Sequence, residues 1–433
     1  MYPFALYKLP SIDSKVEKYI GKNGFDCHFS KFYAQPLLEN GFNIYIHKTK
    51  DSMDFVNKPN FKGKNFYYVV NPFEHVISNN DKSEKNDINT GSKLYFDLDK
   101  DSVGITSRAF YKLWEILMIL DPFSKSSICT AHLAEAPGSF VQATMFYREK
   151  FYKSSNDEHY TISLEDNKGP TFKQEFRKNY SKVKIYDQDG GDLTSIKSIE
   201  GFSKFSKKAD FITADGGFEW INENMQEQEA FRLILGEIIC ALKIQKNGGT
   251  FVLKLFETYT NITIKFMLII ATLYEETYIY KPYTSRPSNS ERYLICKHFK
   301  GVDDKLLDKL TNLLTEMNMG HDNGLELADF LSDIVIPHDF KNVINYSSLQ
   351  LSNVQFEYIN KMLTFVNSGN YYGDQYHKYL EDQQNANQYW LSLFFPLDKS
   401  DYITVRRIIT EELNKSDKIL QNKFNEYNKL IIN

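Results

Sequence analysis

The sequence predicts an α/β fold: a doubly wound sheet of seven strands with an antiparallel last strand, preceded by a β-rich N-terminal extension and followed by a helical C-terminal extension. Three observations lead there. From about residue 100 onward, strand-like and helix-like segments alternate, the pattern of a parallel sheet covered by helices. Seven segments in that stretch read as strands. The last two are separated only by Pro282 to Arg292, too short for a crossover helix, which suggests an antiparallel last strand.

Taken in order, residues 1–95 form the N-terminal extension. It holds aromatic, strand-like sequence such as Phe66-Tyr67-Tyr68-Val69-Val70 and a polar run, Ser78 to Asn86, that reads as an exposed loop. The regular region spans 96–301. Ser107 can cap a helix whose apolar Phe110, Leu113, Leu117 and Leu120 fall at helical spacing, and Pro122 stops it. Strands are expected at Ile128 to Ala134, Tyr160 to Leu164, Val183 to Tyr186, Phe211 to Ala214, Thr250 to Phe256, Glu276 to Tyr280 and Tyr293 to Lys297. Helices are expected between them at Phe140 to Phe151, Met225 to Ile244 and Ile262 to Leu273. Residues 302–433 read as polar and helical, including Leu306 to Met317 and Ile408 to Tyr427.

A chain of 433 residues exceeds the size at which one core stops growing, so a principal domain with appended segments is expected. Hydrophobic residues at 42% supply enough apolar surface to offset the entropy of ordering, which excludes large-scale disorder. The longest apolar stretch, Phe266 to Leu273, is too short to span a bilayer, and Met1-Tyr2-Pro3-Phe4 does not open a secretion signal; no membrane association is expected. Cys27, Cys129, Cys240 and Cys296 are isolated, so they read as reduced and structural, in an intracellular compartment, with no metal site. A net charge of −4 does not announce a nucleic-acid binder, and any contact with phosphates must be local. The stretch Lys173 to Lys184 is basic with interleaved aromatics and suits a phosphate backbone, but a solvated helix face running into a strand is the plainer reading.

Chemistry concentrates at the ends of the expected strands. The segment Leu133-Ala134-Glu135-Ala136-Pro137-Gly138-Ser139-Phe140 leaves a strand and enters a helix, at the sheet edge where doubly wound folds bind ligands. Gly138 allows close backbone approach, the N–H groups of Ser139 and Phe140 can receive a carboxylate such as that of methionine, and Glu135 can take an ammonium. The alternative is an ordinary structural turn. Across the sheet top, Leu164 ends the second strand and Asp192 and Leu193 follow the third, where Asp192 can accept from an adenine amino group and the leucines can flank the ring; a plain Asp-Gly loop is the competing reading. Lys254 sits in the apolar strand Thr250 to Phe256, where a lysine costs several kcal/mol unless it is paired or functional, or snorkels to the surface. Asp215 follows the apolar Phe211 to Ala214 and precedes Gly216-Gly217, placing a carboxylate at a strand end, either for substrate or to cap the next turn.

These residues, together with Ser107-Arg108-Ala109-Phe110-Tyr111-Lys112-Leu113 and Ser285-Arg286-Pro287-Ser288-Asn289-Ser290-Glu291-Arg292-Tyr293, resemble the ordered motifs of FtsJ-like 2′-O-methyltransferases over roughly residues 100 to 300. Within them the resemblance is to Adrift-type cap methyltransferases, including those of large cytoplasmic DNA viruses. The resemblance implies a Rossmann-like methyltransferase sheet, S-adenosyl-L-methionine as cofactor, and Lys112, Asp215, Lys254 and Glu291 as a K-D-K-E tetrad, with Gly138, Asp192 and Asp215 near the cofactor. Ser139 departs from the pattern, since many relatives carry a second glycine there.

A ribose 2′-hydroxyl is a weak nucleophile that must be oriented and must lose its proton as the bond forms. The resemblance assigns Lys254 as the base, with burial and the neighbouring charge of Lys112 expected to depress its pKa and the two acids orienting the amines. The expected substrate is RNA, at the 5′ end of capped mRNA, with other capping or transcription proteins as further partners, in cytoplasm (a host's, if viral) or nucleus. Methylation within rRNA or tRNA, and a catalytically silent RNA-binding scaffold of the same fold, are the alternatives.

Overall fold

A computed structural model describes residues 5–13, 15–36, 42–55, 69–74, 95–96, 104–153, 156–165, 170–217, 220–396 and 403–411, with 414–415, 418 and 422 beyond them. The strands are β1 (Ala5–Lys8), β2 (Cys27–Ser30), β3 (Cys129–Leu133), β4 (Glu158–Ile162), β5 (Val183–Tyr186), β6 (Ala209–Ala214), β7 (Gln245–Leu255), β8 (Tyr274–Lys281), β9 (Arg292–Phe299) and β10 (Glu326–Phe330). Eight of them form one sheet in the order β1-β8-β9-β7-β6-β3-β4-β5. The seven strands expected from the sequence are all present. Neighbours from β5 to β7 pair in parallel, and β9 inserts antiparallel between β7 and β8.

Burial on both faces explains the composition of the central strands. All five residues of β3 are buried, as parallel strands sandwiched between helices require. One core under the sheet packs the helices Phe231–Ile244, Asn261–Leu273 and Asp304–Asp322. The opposite core packs the helices Ala109–Leu120, Ser139–Tyr152 and the end of Asp374–Phe394. The helix Ala109–Leu120 ends at Asp121 in the left-handed conformation (φ 43°), immediately before Pro122. Ser107 Oγ accepts from the Ala109 N–H at 3.2 Å and so caps the opening turn.

The flanks add what the sequence pattern did not. β1 extends the sheet by an eighth strand, pairing antiparallel with β8 and covering its edge. A helix, Phe42–Asp51, lies in the N-terminal extension. β10 interrupts the region read as helical and pairs antiparallel with β2, so the segments before and after the main sheet are hydrogen-bonded to one another. The expected helix Met225 to Ile244 is broken at Ala230 into Gln226–Glu229 and Phe231–Ile244. Lys173 to Lys184 forms a short helix, Gln174–Asn179, running into β5, with Phe176 buried, as the plainer reading holds. Phe66 to Tyr68, the polar run Ser78 to Asn86 and most of Ile408 to Tyr427 lie outside the described residues. Among the described residues no helix is long and apolar enough to cross a membrane.

Candidate active site

The register of the sheet dictates where the tetrad meets. Ala214 of β6 pairs with Leu253 of β7, so Asp215 and Lys254 emerge side by side at the ends of parallel strands. Lys254 Nζ lies 3.2 Å from Asp215 Oδ1 and donates to the Asp215 carbonyl oxygen at 2.8 Å. The Tyr293 hydroxyl, from the strand paired with Lys254, donates to the same Oδ1 at 3.0 Å. From the helix Ala109–Leu120, Lys112 reaches Glu291, just before β9, with Nζ 2.7 Å from Oε1 and 2.8 Å from Oε2. The two pairs act on each other: Lys254 and Lys112 together hold the Glu291 carboxyl below its usual range although burial opposes this.

The electrostatics of Lys254 correct the expectation of a depressed pKa. Burial does push the amine down, but the carboxylates of Asp215, Glu291 and Glu237 push it up further, and the result lies above the ordinary lysine value. Glu237, on the helix Phe231–Ile244, was not anticipated. Burial pushes its carboxyl up to about 8 against the pull of Lys254, and it accepts from the Gly216 N–H at 3.0 Å. A Cβ on Gly217 would lie 3.3 Å from Lys254 Nζ, so the glycine keeps the amine accessible.

The loop from Pro282 to Ser290 is held by two buried groups that sequence reasoning passed over. Lys281 Nζ donates to Ser285 Oγ at 3.1 Å, to Asn289 O at 3.0 Å and Oδ1 at 2.8 Å, and to Glu291 O at 2.7 Å. Glu115, one turn beyond Lys112, takes five donors: Thr284 N (2.9 Å), Thr284 Oγ1 (2.6 Å) and Trp390 Nε1 (2.9 Å) on Oε1, and Tyr280 OH (2.7 Å) and Tyr283 N (2.8 Å) on Oε2. Glu74 holds Arg108 and Arg286, each at 3.1 Å, on the outer side of this loop. A signal existed for Glu115 and Glu237, each a lone acid inside an apolar helical run, LWEILMIL and LILGEIICAL.

At the turn after β3 the arrangement is tighter than the sequence implied. Glu135 folds inward, its Oε1 accepting from Phe140 N at 2.8 Å and Val141 N at 2.9 Å. The Phe140 N–H, expected to be open to a ligand carboxylate, is therefore already engaged, and Glu135 is buried with its pKa pushed well up by that burial, not turned outward to an ammonium. Gly138 has φ 112°, and a Cβ there would lie 2.2 Å from the Phe176 ring, so only glycine fits. Ser139 Oγ pairs with Ser107 Oγ at 2.7 Å, joining this turn to the helix that carries Lys112. Leu164 is exposed at the end of β4, whereas Leu193 is buried in the core. A Cβ on Gly191 would lie 1.9 Å from Ser163 O, which shows how closely the Asp192 turn lies against the end of β4. Asp192 Oδ1 accepts from Thr194 N (2.8 Å) and Thr194 Oγ1 (2.9 Å), and its other oxygen takes no hydrogen bond from the described residues. An acceptor beside an exposed leucine and a glycine-opened turn fits the adenosine end of a nucleoside cofactor.

Residues 105–299 match the FtsJ-like methyltransferase family. The chain is 31% identical over 185 residues to cap-specific mRNA (nucleoside-2′-O-)-methyltransferase 1 of Bos taurus, covering 41% of this chain and 22% of that protein. It is 31% identical over 216 residues to the protein of the same name from Trypanosoma brucei brucei, covering 49% of this chain and 58% of that one. Similarity to an uncharacterized protein of Acanthamoeba polyphaga mimivirus is 27% over 309 residues, covering 66% of this chain and 36% of that protein. The chain thus spans less than two thirds of the length of each of these relatives. FtsJ-like methyltransferases take their methyl group from S-adenosyl-L-methionine, and the turn, the free Asp192 oxygen and the strand ends suit that molecule. The sheet order, the strand-end ion pairs and the family match agree: residues 105–299 match the FtsJ-like methyltransferase family and lie on a Rossmann-like sheet.

Proposed function

We propose that this chain methylates a ribose 2′-hydroxyl near the 5′ end of capped mRNA, with Lys254 as general base. The observation that carries the proposal is the meeting of Lys112, Asp215, Lys254 and Glu291, from four separate segments, in two ion pairs at the carboxyl ends of the strands. The names of the bovine and trypanosomal relatives support the capped substrate.

In the resting protein Lys254 is a cation, because the carboxylates of Asp215 and Glu291 outweigh its burial. The Gly138 turn and Asp192 would hold the cofactor, which would supply the methyl group on a sulfonium; Lys254 must lose its own proton before it can act as the base. Neutral Lys254 then accepts the hydroxyl proton as the oxygen attacks, while Asp215 and Tyr293 fix the direction of the amine. Lys112, fixed by Glu291, orients the ribose oxygen.

The test is methyl transfer from labelled cofactor to short RNAs that differ only in cap and 5′ nucleotides, with the labelled ribose located by digestion. Label on a 5′-proximal ribose of capped RNA alone is expected. Equal turnover of capped and uncapped ends would shift the reading to rRNA or tRNA.

A further inference from the structure

The turn that carries Asp192 is clamped from three sides. Through Gly191 it lies against Ser163 at the end of β4. The helix Phe231–Ile244 meets it at Gly236, where a Cβ would collide with the Leu193 carbonyl oxygen, so the two backbones touch with no side chain between them. The third contact comes from Asn318 of the helix Asp304–Asp322, whose Nδ2 donates to the Thr194 carbonyl oxygen at 2.8 Å. That helix lies wholly outside residues 105–299, so a flank of the chain reaches into the turn.

Asn318 is itself held in place. Its Oδ1 accepts from Arg232 Nη1 at 3.3 Å, and Arg232 stands one turn before Gly236 on the same helix. The amide is thereby oriented, with its oxygen toward the guanidinium and its nitrogen toward the turn. Thr194 passes the constraint on. Its N–H and its hydroxyl both donate to Asp192 Oδ1, at 2.8 and 2.9 Å. With its carbonyl fixed by Asn318 and both donors given to one oxygen, Thr194 sets the plane of the Asp192 carboxylate, and Oδ2 takes no hydrogen bond from the described residues.

We infer that Asn318 is a positioning residue for the cofactor: acting through Thr194, it aims the second oxygen of Asp192 at the adenine amino group and gives the C-terminal flank a part in selecting the base. The inference rests on the reading of Asp192 as the adenine acceptor and is independent of which RNA is methylated. An amino group donates to a carboxylate, whereas the carbonyl oxygen that replaces it in hypoxanthine is repelled. Discrimination between the two bases therefore depends on the direction of that one oxygen.

Binding of S-adenosyl-L-homocysteine and of its inosine counterpart, which carries hypoxanthine in place of adenine, is measured by calorimetry for the wild type, Asn318→Ala, Asn318→Asp and Asp192→Ala, with thermal unfolding confirming that each is folded. Asn318 is half-buried, so water can reach the groups that either substitution exposes. The wild type should prefer the adenine ligand by about tenfold or more, the size of one charge-assisted hydrogen bond, and Asp192→Ala should lose that preference. Asn318→Ala should reduce it by about threefold or more. Asn318→Asp keeps an acceptor for Arg232 but has no hydrogen to give Thr194, so it should lose preference as Asn318→Ala does, whereas a residue that only braces the two helices would tolerate the change. A ratio within about 1.5-fold of wild type in either folded Asn318 variant, even with both ligands weakened equally, overturns the positioning role and leaves Asp192 as the adenine acceptor. No preference in the wild type, or an unchanged one in Asp192→Ala, ends the reading of Asp192 and the inference with it.

Discussion

Replacing Glu115 by glutamine should loosen the loop that delivers Glu291, and its cost can be worked out bond by bond. The carboxylate faces five donors and no acceptor, so the new amide nitrogen must replace an oxygen that is in use. The smaller loss puts nitrogen at Oε2. There the Tyr280 hydroxyl can turn to accept from it, but the Tyr283 N–H loses the Glu115 oxygen as its acceptor. A stranded buried donor costs about 1–3 kcal/mol, and weakening the remaining charge-assisted bonds adds about 1 kcal/mol, for a total of roughly 2–4 kcal/mol. Thermal unfolding followed by calorimetry should show a drop of several degrees, with methyl transfer reduced and cofactor affinity preserved. Unfolding at the wild-type temperature would refute the claim that these five bonds hold the loop.

Lys254→Arg and Lys254→Ala should both abolish transfer while leaving cofactor binding intact, since a guanidinium stays protonated; activity in the arginine variant would end the general-base role. Because carboxylates raise the Lys254 pKa, the wild-type rate should climb with pH into the alkaline range, and Glu237→Gln should move that limb toward lower pH; an unmoved limb in the pH–rate profile would disconnect Glu237 from Lys254. His159 is buried, with burial holding it at about 4 against an ordinary value of 6.5. Below about 6.5 the unfolded chain takes up a proton that the folded one refuses, so stability is full above that pH and falls by up to roughly 3 kcal/mol as pH drops toward 4; His159→Gln should flatten this part of the pH–stability curve. Gly138→Ala should weaken cofactor binding in calorimetry, because a Cβ there must displace Phe176 and adopt a strained φ, and unchanged affinity would remove the site from this turn.

The sheet was legible because its strands alternate with helices and because the short Pro282 to Arg292 connection forbids a crossover. β1 was not, since four residues, Ala-Leu-Tyr-Lys, carry no periodicity and become a strand only through the exposed edge of β8. Lys254 and Asp215 stood out as charges in apolar sequence. The sign of the Lys254 shift did not, because it depends on summing three carboxylates brought in from β6, the loop before β9 and the helix Phe231–Ile244. Glu135 shows a further limit: its sequence position cannot say whether the side chain turns outward or back onto its own helix, and the inward hydrogen bonds decide it.

The pairing of β1 with β8 and of β2 with β10 gives the chain the topology of a buckle. Each N-terminal strand waits for a partner made some 270 to 300 residues later, so during synthesis neither can close until nearly the whole segment that matches the methyltransferase family has left the ribosome. The same closure sets how the chain can be dissected. Cutting at the limits of 105–299 would strip β1 from its edge, remove the β2–β10 pair, and take Trp390 from Glu115, so the loop that positions Glu291 would lose a support that lies almost 100 residues beyond the segment it serves.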